Sequence, residues 1–228
     1  MRERIMYSLS AISVALIFWT LYKIAFVFPP EVNNVGAYQI IYFHVPAFIT
    51  SFTAFFVGLG ASVLYLMTKD LKYDSFAAGV NEVGLVFATA GLVMGMIWGR
   101  FAWGIWWAWD ARLTSMLMCW LLYAGYLILR RSVEEPSQRA RYSAVLSIIG
   151  CVDVVFVYKS IEWFRALQHP APVLSIRNGG GMSPGLEAPI YWNYLALVCL
   201  GTVLAMVRMR QEEVSREIDS LRRLAHSF

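Results

Sequence analysis

Residues 45–67 read VPAFITSFTAFFVGLGASVLYLM, a run without a single charged side chain. At about 1.5 Å per helical residue this run reaches about 35 Å, enough to cross the roughly 30 Å hydrocarbon core of a bilayer. Five further apolar segments of spanning or near-spanning length lie at 5–27, 80–97, 113–129, 142–158 and 189–208. The composition agrees: of 228 residues 59% are hydrophobic and 15% charged, too apolar a balance for an ordinary soluble domain. The expected fold is an all-α integral membrane protein with six transmembrane helices. The first segment is not read as a cleaved signal peptide, because its apolar run is too long and Phe28-Pro29-Pro30 offers no small-x-small site.

Basic residues orient the spans. One set of ends and loops carries Arg2, Arg4, Lys69, Lys72, Arg130, Arg131, Arg139, Arg141, Arg208, Arg210, Arg216, Arg222 and Arg223; the other carries Arg100, Arg112, Lys159, Arg165 and Arg177. By the positive-inside rule both termini are expected to be cytoplasmic. The net charge of +4 is then mostly a consequence of topology, and no nucleic-acid partner is implied.

This gives a membrane domain over 1–210 with outer segments at 28–44, 98–112 and 159–188, followed by a cytoplasmic tail over 211–228. In the tail Val214, Ile218, Leu221 and Ala225 recur at helical spacing, and Glu212 with Arg216 and Asp219 with Arg223 sit four apart. A short amphipathic helix is expected there.

Unusual residues gather in the outer segments. These hold His44, His169 and six of the nine tryptophans, whereas His226 falls in the tail. Five tryptophans, Trp98, Trp103, Trp106, Trp107 and Trp109, crowd into WGRFAWGIWWAW at 98–109. A membrane-interface belt needs one or two per helix end, so this loop exceeds what a belt requires. Were the loop helical, Trp103, Trp107 and Asp110 would share one face and Trp106 and Trp109 an adjoining one, making a rigid apolar shelf for a large flat ligand. Gly99 and Gly104 would let backbone or ligand come close. Neutral imidazole is a common axial ligand of haem iron, and haem is large, flat and hydrophobic. Two histidines flanking the shelf therefore make His44 and His169 candidate metal ligands. Arg100, Arg112, Arg165 and Arg177 are the outer cations available to haem propionates.

The stretch WGRFAWGIWWAWDARLT at 98–114 resembles the tryptophan-rich WWD motif of haem-handling proteins in cytochrome c biogenesis, and among these the chain most resembles the six-span CcmC family. YFHVPAF at 42–48 resembles that family's first external histidine motif, which places the ligand at His44. SIEWFRALQHP at 160–170 resembles the second, with Gln168 where the family pattern has histidine and His169 beside it as the candidate. The resemblance covers about residues 5–210. It implies a haem-delivery protein of the bacterial inner membrane, its working loops in the periplasm. Haem b would be carried there as transient cargo between His44 and His169, against Trp98, Trp103, Trp106, Trp107, Trp109, Asp110 and Arg112. The implied recipient is the haem chaperone CcmE, and the implied complex contains the ABC-type subunits CcmA and CcmB and the small protein CcmD. Asp110 has two candidate roles, orienting an outer arginine or shaping the partner's docking surface. A haem lyase-like catalyst and a transmembrane haem transporter are the alternatives. No nucleophile–base constellation is visible in the outer segments, and no inverted repeat is apparent.

Other features read as structural. Asp153 and Glu82 lie in or near spans, and Asp153 is expected to be neutralised by pairing, with Lys23, Lys159 and Glu162 as the groups at hand. Cys119, Cys151 and Cys199 lack metal or redox spacing and are expected in the core. RNGGGMSPG at 177–185 has no following lysine and is expected to be an outer lid or contact segment, not a phosphate loop.

Overall fold

The computed structural model describes residues 2–27, 38–164 and 187–225. The described residues form six long helices: α1 Arg2–Phe26, α2 Ile41–Thr68, α3 Leu71–Trp103, α4 Ala111–Ser132, α5 Pro136–Phe164 and α6 Ala188–Ala225, with a 3-10 turn at Tyr38–Ile40 leading into α2. All six are long and apolar enough to cross a membrane. The chain is a multi-pass, all-helical membrane protein, as its composition implies.

Helices α2 to α6 run past both ends of the apolar stretches that revealed them, and at the starts of α3 and α5 a polar residue caps the extension. Asp70 precedes α3 and its carboxylate accepts from the Lys72 amide at 3.0 Å. Glu135 does the same for α5, accepting from the amides of Ser137 and Gln138 at 3.0 and 2.6 Å, with Pro136 at the first helical position, where a missing N–H costs nothing. The helix expected in the tail is present and continues α6 without a break.

Helices α2 and α3 form a hairpin against which α5 and α6 pack, α4 pairs with α5, and α1 lies along α6. At the centre the rings of Phe55 and Tyr123 stack with centroids 3.5 Å apart, among Leu85, Ala88, Met116, Cys119, Val154 and Val157. The three cysteines are free and buried. Outward faces carry Phe18, Val86, Leu121 and Val152, all exposed, which is where lipid contacts a helix bundle.

The end of the bundle bearing the chain termini is tied by charge. Arg130, buried in α4, donates to Asp74 Oδ1 at 2.6 Å and Oδ2 at 3.1 Å, and to Glu212 of α6 at 2.6 Å. Arg216 reaches Asp74 as well as the Leu71 carbonyl. Glu82 pairs with Arg208 at 2.6 Å. Among the described residues the pairing expected for Asp153 is not found. Lys159 and Glu162, three apart on one helical face, bind each other at 2.9 Å, and Lys23 lies over the Trp19 ring on α1. Six positions from Lys159, Asp153 points to a different side of α5, and its Oδ2 is buried without a hydrogen-bond partner among the described residues.

Candidate functional site

The opposite end of the bundle gathers the start of α2, the end of α3, residues 104–110 and the start of α4. Its organising element is a glycine ridge on α3. Gly91, Gly95 and Gly99 recur every four residues and so lie on one face, about 6 Å apart along the axis. Each has a neighbour packed close against it, and at Gly91 and Gly95 a side chain would collide with that neighbour. A Cβ on Gly91 would meet the Phe48 ring at 2.8 Å, and one on Gly95 would meet His44 Cε1 at 2.9 Å. At Gly99 it would stand 3.4 Å from the Ile105 carbonyl and from the Trp103 ring. The ridge therefore puts His44 and the tryptophan segment on the same face of α3, the histidine one helical turn below.

His44 sits in the first turn of α2, half-buried, not in a loop. Its ring stands edge-on to Phe48, centroids 4.8 Å apart. Nδ1 lies 3.0 Å from the Gly91 carbonyl. A carbonyl can only accept, so Nδ1 is the donor here, and in the neutral ring the lone pair is then on Nε2. A backbone acceptor on one ring nitrogen, fixing tautomer and orientation for the other, is the arrangement that metal-ligating histidines use.

The main chain that carries His44 is held from α6. Pro46 has no N–H to return to the Tyr42 carbonyl four residues back, and Asn193 Nδ2 donates to that carbonyl at 2.6 Å. Ile24, Tyr42 and Ile190 pack together around this join.

The tryptophan segment is not one helix. Helix α3 stops at Trp103 because Gly104 adopts φ +75°, a left-handed conformation that glycine enters without strain, and the Arg100 guanidinium donates to the Gly104 carbonyl. The expected face of Trp103, Trp107 and Asp110 is thus replaced by two edge-to-face pairs: Trp98 with Trp103, centroids 5.0 Å apart, and Trp107 with Trp109, 5.8 Å apart. Trp106 and Trp109 are exposed, whereas Trp98, Trp103 and Trp107 are partly buried. The Nε1–H of Trp107 is buried and has no hydrogen-bond partner among the described residues.

Asp110 has a structural role besides the two expected for it. It is the N-cap of α4, its carboxylate accepting from the Leu113 amide at 2.8 Å. Arg112, half-buried in the first turn of α4, lies in the field of the Asp110 carboxylate. The structure thus gathers the start of α2 and the tryptophan segment with Asp110 and Arg112 at one end. His169, Gln168, Arg165, Arg177 and the glycine-rich 177–185 segment fall outside the described residues. Among those described, no cluster of three or more His, Cys, Asp or Glu could hold a metal; a single histidine ligand is what this part of the chain offers. Sequence reading had passed over Gly91, Gly95 and Asn193. The four-residue glycine spacing and the proline two residues after His44 were the available signals.

A profile of the family described as heme exporter protein C, CcmC, matches residues 1–224. Heme exporter protein C of Bradyrhizobium diazoefficiens is 31% identical over 224 residues, 98% of this chain and 84% of the relative. Its Escherichia coli counterpart is 31% identical over 183 residues, 80% of this chain and 73% of the relative. A ccmC-like mitochondrial protein of Marchantia polymorpha, named for cytochrome c biosynthesis, is 29% identical over 203 residues, 89% of this chain and 82% of the relative. The chain belongs to the heme exporter protein C (CcmC) family.

Proposed function

We propose that this protein holds haem at the tryptophan end of the bundle and delivers it for c-type cytochrome maturation. The observation that carries the reading is the His44–Gly91 hydrogen bond. It leaves Nε2 as the ligating nitrogen, on the face of α3 where the tryptophan segment also folds back. His44 supplies one axial ligand and His169 the other. Trp98, Trp103, Trp106, Trp107 and Trp109 pack on the porphyrin, their edge-to-face pairs giving it apolar walls at little cost in rotamer freedom. Arg112 is the cation for a propionate, and Asp110 holds Arg112 in place by fixing the first turn of α4. The iron and macrocycle are cargo; the protein supplies ligation, walls and charge.

In this reading the tryptophan end faces the periplasm of a bacterial inner membrane and both termini face the cytoplasm. Haem passes to the chaperone CcmE within a complex containing CcmA, CcmB and CcmD. The basic residues clustered at the terminal end, among them Arg130, Arg131, Arg139, Arg141, Arg208 and Arg210, support that orientation.

The test is the visible spectrum of the detergent-purified protein, made with ample haem, beside His44→Ala and His169→Ala. A low-spin bis-histidine spectrum is expected in the wild type and should be lost or converted in each variant. Wild-type protein without haem, or both variants with the wild-type spectrum, overturns the site.

A further inference from the structure

We infer that Asn193 is a positioning residue for His44, acting through the backbone carbonyl of Tyr42. The inference rests on the reading of His44 as a haem ligand.

The first turn of α2 is short of its own bonds. Ile40, at its N-cap position, has helical φ and ψ and makes no side-chain capping bond. Pro46, fully buried, removes the N–H that a regular helix would return to Tyr42. In surroundings without water an unanswered carbonyl is costly, and a nearby side chain must meet it. Asn193, in α6 and 0% exposed, does so with an Nδ2···O distance of 2.6 Å. The orientation of its amide follows from chemistry, since a carbonyl accepts only from the nitrogen side. A buried amide in a membrane span is expensive, and its Oδ1 has no hydrogen-bond partner among the described residues. Packing alone would be better served by leucine; the donor is what asparagine adds.

His44 follows Tyr42 by two residues, in the same turn. Its ring lies in a narrow slot, with the Gly91 carbonyl at 3.0 Å and Gly95 without a side chain opposite Cε1. A small rotation of the turn would take Nδ1 off that carbonyl and turn Nε2 away from the tryptophan segment. Two clamps therefore set the imidazole: α3 holds the ring through Gly91, and α6 holds its main chain through Asn193.

The experiment exploits Pro46. Asn193→Leu removes the donor at similar volume, and Pro46→Ala restores an N–H to the Tyr42 carbonyl from within α2. Two readouts are taken on wild type, each single variant and the double variant. One is the nitrogen NMR spectrum of histidine-labelled protein in detergent, in which His44 is assigned among the three histidines by its loss in His44→Ala. The other is titration with haem. Asn193→Leu should lose the Nδ1–H signature of His44 and bind haem about tenfold more weakly, the lower end of what an outer-shell partner contributes. The double variant should regain both. A wild-type His44 signal in Asn193→Leu, or a defect that Pro46→Ala does not repair, overturns the inference and leaves Asn193 a packing residue. Wild-type protein that takes no haem overturns the ligand reading instead, and the histidine spectrum still decides whether Asn193 sets the ring. Asn193→Ala is read by the same criteria if the leucine variant does not fold.

Discussion

A methyl group on Gly95 would stand 2.9 Å from Cε1 of His44. No helix backbone yields that much without moving its neighbour, so Gly95→Ala must push the ring along α2 or tilt it off the Gly91 carbonyl. Overpacking of this kind costs about 1–3 kcal/mol, and here it falls on the candidate ligand. Gly95→Ala is expected to fold and to lose haem more readily than wild type, as read from the visible spectrum after gel filtration. Gly60→Ala, where an added Cβ meets nothing within 4 Å, should retain haem as wild type does. Equal retention by the two variants would detach the glycine ridge from the site.

Asp110 caps α4 through the Leu113 amide at 2.8 Å. Removing such a cap costs about 1 kcal/mol, so Asp110→Ala should lower the thermal midpoint in detergent. Asp110→Asn keeps an acceptor oxygen and should stay close to wild type. Haem retention should follow the same order, since the cap also fixes the turn carrying Arg112. If Asp110→Asn loses haem at an unchanged midpoint, the negative charge itself matters to the cargo or its partner.

At the terminal end, Asp74 is 3% exposed and receives both Arg130 and Arg216. Asp74→Ala leaves the Arg130 guanidinium buried without its main partner. Breaking a buried pair from one side costs about 3–5 kcal/mol. Expression should collapse or the midpoint fall steeply. The exposed Lys159–Glu162 pair is different, and Glu162→Gln should change stability by about 1 kcal/mol or less. Similar effects for the two variants would mean that the Asp74 network is more hydrated than its burial indicates.

The spans were legible because transfer into lipid is a property of each residue summed over a window, and 45–67 alone is long and uncharged enough to decide it. The ends were not. Leu71–Trp103 outruns the apolar 80–97 at both ends, through a cap on Asp70 and a helix carried up to Gly104, and neither changes hydropathy. His44 was legible as a residue type in a resembling motif, but what orients it lies 47 positions away at Gly91 and 149 away at Asn193, whose bond to Tyr42 spans 151. Such pairings depend on which helices meet, and that is fixed by packing. The cap on α4 was present in the sequence, as an aspartate before Ala-Arg-Leu-Thr. The tryptophan crowding beside it fits a continuous helical shelf by spacing alone, which φ +75° at Gly104 forbids.

Trp107 keeps its Nε1–H buried and without a hydrogen-bond partner among the described residues. A buried donor left unanswered in a folded protein calls for a reason, and an acceptor that arrives with a ligand is one. Haem brings carboxylates, and a hydrogen bond to a charged acceptor contributes about 1.5–3 kcal/mol. Trp107→Phe keeps an aromatic wall beside Trp109 and deletes only the donor. Without haem the variant should be as stable as wild type or slightly more so, because an unsatisfied group has been removed. With haem it should release the cargo about tenfold faster, the lower end of that range expressed as a rate. Stopped-flow transfer to apomyoglobin measures the release, and a thermal melt of the haem-free protein supplies the control. An unchanged release rate would leave Trp107 as an apolar wall and return propionate recognition to the outer arginines, Arg112 first among them. A release rate that rises together with a large fall in midpoint would show that the indole was supporting the loop itself.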